Sequence, residues 1–296
     1  MKRRSFLKIA GVSASSTLFG MNKLNELEKL SQNFALTPQM PVLFLGHGNP
    51  MNAIEENEFV HGFQNISKTL PTPNAILCIS AHWYIKGTKV TAMEMPRTIY
   101  DFGGFPDALY QVKYPAKGSP ELASEVQQLI PSTPVGLDDE WGLDHGAWTV
   151  IKHLYPQANI PVIEMSIDRT KPAAYHYELA QQISSLRNKG VLIIGSGNIV
   201  HNLRMVDFKN AHIDNYGFDW AQEVRSQVNH YLEQGDHQSL INYHKSGKAW
   251  QYAIPTSDHY LPLIYAIGLQ NKNEVVQIFN DKMLAGSLSM TSIKIG

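Results

Sequence analysis

Short apolar runs of strand length recur along the chain, and segments with helical periodicity separate them. Residues 42–45, 75–80, 161–167 and 191–194 are nearly continuous runs of this kind, which is typical of buried strands. The segments between them place apolar residues at helical spacing and begin or end at prolines. This alternation predicts an α/β fold, a three-layer α/β/α sandwich around a mostly parallel or mixed sheet.

Histidines stand next to the ends of several predicted elements. His47 lies between two glycines directly after the first apolar run, and His82 follows the second. His201 comes shortly after the fourth run, and His259 precedes a helical segment near the C-terminus. Because open α/β sheets bind ligands at the carboxyl ends of their strands, these four histidines are candidate metal ligands.

The Gly-His-Gly turn at His47 has three interpretations when it is taken alone: a phosphate-binding loop, a structural turn, or the first ligand of a metal site. Spacing does not choose among them, because the chain has no compact H-x-x-x-H motif. The recurrence of a His at strand-to-turn junctions favours the metal ligand.

The composition excludes several kinds of partner and chemistry. With 25 Lys and Arg against 26 Asp and Glu, the formal net charge is −1, so no nucleic-acid-binding surface is indicated. We therefore expect a small molecule as the partner. Cys78 is the single cysteine and lies within an apolar run, which excludes an intrachain disulfide and predicts a buried, unreactive thiol.

Residues 100–114 form an aromatic segment that is punctuated by Gly and Pro and is too long for a simple connector. Long loops of this type often form a lid or a wall of a binding site, although aromatic residues can also cap an exposed sheet edge. Farther along, His145 stands within the phrase WGLDHGAW, just before a segment with helical character.

Five phrases in this order carry a family resemblance: GHGNPM, SAHW, WGLDHGAW, GSGNIVHNL and SDHYLP. Together they resemble the extradiol ring-cleavage dioxygenases of the LigB superfamily, specifically the 4,5-DOPA dioxygenase branch, from about residue 41 to the C-terminus. The resemblance implies metal ligation around His47, His82, His201 and His259, with His145 as the acid/base residue. It also implies the opening of a DOPA-like catechol ring by O2, with Fe(II) for turnover and Zn(II) able to occupy the same site.

Two other functions stay open on the sequence. Oxygen-activating non-haem iron usually takes two His and one carboxylate, whereas these phrases hold no evident acidic ligand except Asp258 or Glu164. Four nitrogens also suit zinc, so a zinc-dependent hydrolase is the first alternative. A non-catalytic metal-binding or interaction protein of the same fold is the second. A catechol needs room at the metal, so we expect either His201 or His259 to bind weakly or to lie outside the ligand set.

The first residues have the features of an export signal. Arg3 and Arg4 are followed by Ser-Phe-Leu-Lys and then by a weakly apolar stretch rich in Ala, Ser and Gly. This pattern resembles a twin-arginine signal, and it is too short to span a membrane. We predict a signal peptide and linker over 1–39, a single catalytic domain over 40–296, recognition by the twin-arginine export machinery, and a periplasmic location. We expect no membrane-spanning segment in the mature protein.

Replacing both Arg3 and Arg4 by Lys is expected to keep the protein in the cytoplasm, because the export machinery reads the arginine pair. Fractionation of cells that express the wild-type and double-variant chains would measure this. Continued export of the double variant would contradict the signal assignment.

Overall fold

Ten strands occur in the computed structural model, which describes residues 38–296. They are β1 (Val42–Gly46), β2 (Ala75–Ile85), β3 (Thr88–Thr91), β4 (Val135–Asp138), β5 (Val162–Asp168), β6 (Val191–Gly197), β7 (Val276–Phe279), β8 (Met283–Leu284), β9 (Leu288–Ser289) and β10 (Ser292–Ile295). Eight of them form one sheet in the order β4-β3-β5-β2-β6-β1-β10-β7, and β8 pairs with β9. The predicted strands at 42–45, 75–80, 161–167 and 191–194 are all present.

The four central strands β5, β2, β6 and β1 are parallel, so their carboxyl ends meet at one edge of the sheet. The flanking strands β3 and β10 run antiparallel to β5 and β1. The sheet is therefore mixed, as predicted. The pairing of β2 with β5 shifts register between Ile79 and Tyr84, and His82 lies within this irregular stretch. Such irregularities redirect side chains, and this one changes the local direction of β2 beside the sheet edge.

The helices within the described residues are α1 (Glu58–Ser67), α2 (Asp107–Tyr110), α3 (Pro120–Leu129), α4 (His145–Leu154), α5 (Ala173–Gln182), α6 (Asp219–Gln234), α7 (His237–Ile241), α8 (Lys248–Ala253) and α9 (Leu261–Gly268). The chain breaks between α6 and α7 at Gly235, whose φ of 65° ends α6 in a left-handed cap that glycine adopts without strain.

Side chains that alternate along the central strands build two separate hydrophobic cores. Leu43 and Ile76 pack with residues of α1 and α4 on one face of the sheet. Phe44 and Leu77 pack with residues of α3 and of α5 to α9 on the other. Both faces are covered by helices, which confirms the three-layer α/β/α sandwich. It also explains why the strands are apolar throughout. Cys78 is buried in the first core, as predicted.

The end of β6 lies against the segment that leads into α9. A Cβ atom at Gly197 would stand 2.2 Å from the carbonyl oxygen of His259, so only glycine allows this approach. The next peptide, at Asn198, donates a hydrogen bond of 2.9 Å to the same carbonyl. These two contacts hold His259 beside the carboxyl ends of β6 and β1.

The predicted twin-arginine signal lies outside the described residues, as does nearly all of the predicted linker. Among residues 38–296, none of the helices has the length and apolar character that crossing a membrane requires.

Candidate metal centre

Three histidines from distant parts of the chain meet at the carboxyl edge of the sheet. His47 follows β1, His82 lies in the irregular part of β2, and His259 precedes α9. Their ring centroids form a nearly equilateral triangle, with separations of 5.0 Å for His47 and His82, 5.1 Å for His82 and His259, and 5.3 Å for His47 and His259. The structure therefore brings together three of the four predicted ligands.

The Nδ1 atom of each of these rings has an oxygen partner. His47 Nδ1 lies 3.0 Å from Ser196 Oγ. Because that hydroxyl donates its own hydrogen to the carbonyl of Gly146, it must accept one from Nδ1. In the same way, a carboxylate oxygen of Asp258 lies against Nδ1 of His259.

Asp101 supplies the third partner, since its Oδ2 lies 3.2 Å from Nδ1 of His82. A proton on Nδ1 leaves the lone pair of a neutral imidazole on Nε2. Ligand histidines in metalloproteins are commonly oriented by a carboxylate or other oxygen at the second nitrogen. The three rings thus offer three Nε2 lone pairs.

Burial lowers the pKa of three histidines of this cluster, His47, His82 and His201. Desolvation, followed by the neighbouring histidines, lowers the pKa of His47 and of His82 well below the ordinary value. Burial and the adjacent His259 lower the pKa of His201 to about 3. At neutral pH these rings are therefore neutral and can donate a lone pair, which is the form that binds a metal ion.

The distance between Nε2 of His47 and Nε2 of His82 tests whether the two atoms could bind one metal ion. The two atoms lie 3.3 Å apart. Two nitrogens bound to one ion at about 2.0–2.1 Å, at angles between tetrahedral and octahedral, stand about 3–3.5 Å apart. Two lone pairs that face each other at this separation repel unless a cation lies between them. The donor set and its spacing therefore fit a divalent metal ion.

His201 has a different placement from the other predicted ligands. Its ring stacks on that of His259, with centroids 3.5 Å apart and planes only 9° from parallel. An imidazole lone pair lies in the plane of its ring, and two parallel planes at this separation cannot both contain one ion. One member of this pair was expected to fall outside the ligand set, and the stacking favours His201 as that member, because the ring centroid of His259 completes the triangle.

His145 lies at the first turn of α4, beside the triangle. Its ring centroid is 3.8 Å from that of His82 and 5.6 Å from that of His47. Donor nitrogens of His47, His82 and His145 lie within 4.8 Å of one another, and His259 does not belong to that group, so its place beside His47 and His82 rests on the ring-centroid distances. Its Nδ1 is 2.9 Å from Asp101 Oδ2, and its peptide nitrogen donates to Asp101 Oδ1.

Asp101 belongs to this cluster, although no sequence pattern had indicated it as a site residue. This aspartate contacts both His82 and His145, and it lies in the aromatic segment 100–114 that was predicted to be a lid or wall. Burial acts to raise the pKa of Asp101, but His145 and His82 outweigh burial and lower it, so the carboxylate is ionised at neutral pH. An acidic residue directly between Tyr100 and Phe102 was the available signal, although nothing local indicates which histidines it contacts.

Glu164, which the sequence offered as a possible acidic ligand, instead contacts the start of α4 together with Asp144. Asp144 caps α4: its Oδ1 accepts from the peptide of Ala147 and from Ser80 Oγ. Glu164 Oε1 accepts from the peptide nitrogen of Asp144 at 2.8 Å. Both carboxyl groups are fully buried, and neither Asp144 Oδ2 nor Glu164 Oε2 has a hydrogen-bond partner among the described residues. The two carboxyl groups therefore hold the first turn of α4, Asp144 through the peptide of Ala147 and Glu164 through the peptide of Asp144.

This chain is similar to several known proteins. A family model described as the catalytic LigB subunit of aromatic ring-opening dioxygenase matches residues 33–288. A protein of Escherichia coli K12 named 4,5-DOPA dioxygenase extradiol is 46% identical over 264 residues, covering 87% of this chain and 95% of that protein. One from Beta vulgaris with the same name is 35% identical, covering 85% and 94%. The crystal structure of an uncharacterized E. coli K12 protein has a TM-score of 0.75 and 41% identity, covering 87% of this chain and all of that one.

The Glu164→Gln variant is expected to flatten the pH dependence of stability. Burial, and then the charge of Asp144, raise the pKa of Glu164 well above the ordinary value of 4.5. A raised pKa in the folded state gives stability that is complete below the unfolded pKa and is lost as the pH rises towards the folded pKa. Glutamine does not ionise, so the variant should gain stability relative to wild type across the pH range above the ordinary value of 4.5.

Urea unfolding across that range measures the effect, with Glu178→Gln at an exposed position of α5 as the control. Parallel wild-type and Glu164→Gln curves would contradict the buried-carboxyl assignment.

Proposed function

The chain belongs to the LigB family and is an extradiol ring-cleavage dioxygenase, and on that premise we propose that it opens a catechol with O2 at a metal held by His47, His82 and His259. The observation that carries the ligand assignment is the approach of two Nε2 atoms to 3.3 Å while the Nδ1 atoms of both rings have oxygen partners. DOPA, the compound in the relatives' names, is the reference substrate.

Three protein ligands suit this reaction better than four. Extradiol cleavage needs open positions for both catechol oxygens and for O2, which favours a ligand set that leaves one face of the ion free. The triangle of His47, His82 and His259 supports such a set, and the stacking of His201 on His259 keeps His201 beside it. The ligand set then contains only neutral nitrogens, in contrast to the common two-His, one-carboxylate pattern.

The metal dependence of the family, together with these neutral nitrogens, supports iron(II) as the working ion. Iron held here would supply the one-electron chemistry that connects an electron-rich aromatic diol with O2. Zinc suits the same nitrogens but does not change its oxidation state, and would support hydrolysis instead. The protein's own contribution is to hold three uncharged donors in place and to keep the opposite side open to the cavity that His145 also lines.

His145 is the proposed acid/base residue. Asp101 contacts its Nδ1 and accepts from its peptide nitrogen, which orients the ring and stabilises the imidazolium that forms when Nε2 takes a proton. We propose that His145 takes a proton from a catechol hydroxyl as the substrate binds and returns one during ring opening. Asp101 also contacts His82, so one carboxylate positions both a proposed ligand and the proposed acid/base residue.

The proposed location of this reaction is the periplasm. The predicted twin-arginine signal would export the chain already folded, with its metal loaded in the cytoplasm.

Protein loaded anaerobically with Fe(II) is expected to consume O2 with DOPA or a caffeate-like catechol and to form a yellow ring-opened product. In the same assay His145→Ala should keep its iron but turn over about 10²- to 10⁴-fold more slowly, because the proton acceptor is gone. Oxygen-electrode traces and metal analysis measure both. Absence of uptake at verified iron occupancy would refute the dioxygenase proposal, and unchanged turnover in the variant would remove the role of His145. Activity with Zn(II) in the absence of O2 would favour a hydrolase.

His259→Ala is expected to weaken iron binding by more than about tenfold, because a direct ligand is lost. His201→Ala is the matched control: it removes the ring stacked on His259 and should leave one iron per chain. Equilibrium dialysis against Fe(II) under anaerobic conditions measures both affinities. If the two variants lose iron equally, or only His201→Ala loses it, the ligand assignment is wrong.

A further inference from the structure

A cavity of about 610 Å³ opens beside the histidines and extends well past them. Its inner end is formed by the imidazoles and Asp101, where the diol would bind. The wall farther out consists of Leu203, Val206, Phe208, Leu284, Leu288 and Met290. This volume is larger than a bare catechol ring would fill, so the outer part of the cavity can hold a substituent on that ring.

In the segment from Leu203 to Ala211, apolar residues line the cavity and the charged residues do not. Leu203, Val206, Phe208 and Ala211 line the cavity. Apolar residues of this one segment therefore form a continuous side of the outer cavity.

The charged residues of the same segment do not line the cavity. Arg204 and Lys209 are exposed, and Asp207 accepts hydrogen bonds from Asn210 and from the hydroxyl of Tyr216. Among the residues that line the cavity, the charged side chain is that of Asp101, and its carboxylate already contacts His82 and His145. The outer cavity thus offers no cation to a substrate carboxylate.

Two of the apolar side chains at the cavity mouth are open to solvent. Phe208 is 83% exposed and Leu203 is 64% exposed, although each borders the cavity. Exposed apolar surface next to a binding site is available to be covered by an apolar ligand, and covering it is favourable. A charged group beside Leu203, Val206 and Phe208 would gain no ion pair from these side chains, and the polar lining residues Asn49 and Asn198 carry no charge.

We infer that the substrate is a catechol whose ring carries an uncharged, apolar substituent, such as an alkyl or aryl group, seated against Leu203, Val206 and Phe208. This inference rests on the proposed function and narrows it, since it places the amino-acid side chain of DOPA among the less favourable substituents.

Three catechols with the same three-carbon chain test this preference: 4-propylcatechol without charge, 3-(3,4-dihydroxyphenyl)propanoate with a carboxylate, and DOPA with a carboxylate and an ammonium group. Anaerobic calorimetry on the iron-loaded protein gives a dissociation constant for each, and oxygen uptake gives kcat/KM. We expect 4-propylcatechol to bind about tenfold or more tightly than either charged compound, with kcat/KM in the same order.

Equal or tighter binding of either charged compound would overturn the inference. Because binding is measured without O2, a failure of the proposed function is distinguishable: it appears as no oxygen uptake with any catechol, whatever the order of the dissociation constants.

Variants of the exposed wall test the placement. Phe208→Ala should weaken the binding of 4-propylcatechol about threefold to tenfold, because apolar contact area is lost. Ile213→Ala is the matched control, since Ile213 is a half-exposed apolar residue of the same region that does not line the cavity. Phe208→Lys should instead tighten the binding of the propanoate about twofold to fivefold by adding a cation at the mouth.

Equal effects of Phe208→Ala and Ile213→Ala on 4-propylcatechol, or no gain for the propanoate in Phe208→Lys, would place the substituent elsewhere and overturn the assignment.

Discussion

The structure around the site depends on one constraint: several imidazole rings are buried together and must stay uncharged with their lone pairs directed inward. Burial lowers the pKa of His47 and His82, and oxygen partners at Nδ1 select the tautomer that leaves Nε2 free. The polar groups around the rings stabilise this state by placing an oxygen atom beside each Nδ1. The hydroxyl of Ser196 donates its hydrogen to the carbonyl of Gly146 and therefore accepts one from Nδ1 of His47. The carboxylate of Asp258 lies against Nδ1 of His259 and accepts a hydrogen there.

The sheet supplies the convergence that local sequence does not. The parallel pairing of β1 with β6 brings the turn at His47 beside Gly197, and the missing Cβ of Gly197 admits the carbonyl of His259. The pairing of β2 with β5 shifts register between Ile79 and Tyr84, which is the stretch that holds His82. On the side of α4, the buried carboxyl groups of Asp144 and Glu164 hold the first helical turn in place. Each histidine is therefore positioned by a rigid element, as a preorganised site requires.

The cavity separates two tasks in space. Its inner end gathers the imidazoles and the Asp101 carboxylate, the groups proposed to bind a metal and to move a proton. Its outer end is walled by apolar residues between β6 and α6 and from the hairpin of β8 and β9. Loops can change without disturbing the strands that hold the ligands, so specificity can vary while the chemistry is retained.

The sequence by itself determined the class of fold and the central strands, and it pointed to five histidines that the structure brings close together. These follow from local patterns, namely apolar runs, helical spacing and Gly-rich junctions, together with a family resemblance carried by short phrases. It did not determine that Asp101 contacts the ring of His145. Only the tertiary structure decided that His259 completes the triangle while His201 stacks outside it. The physical reason is that ring orientation is set by contacts between elements far apart in the chain, such as those of His47 with Ser196 and of Gly197 with His259, and no local pattern encodes such pairings.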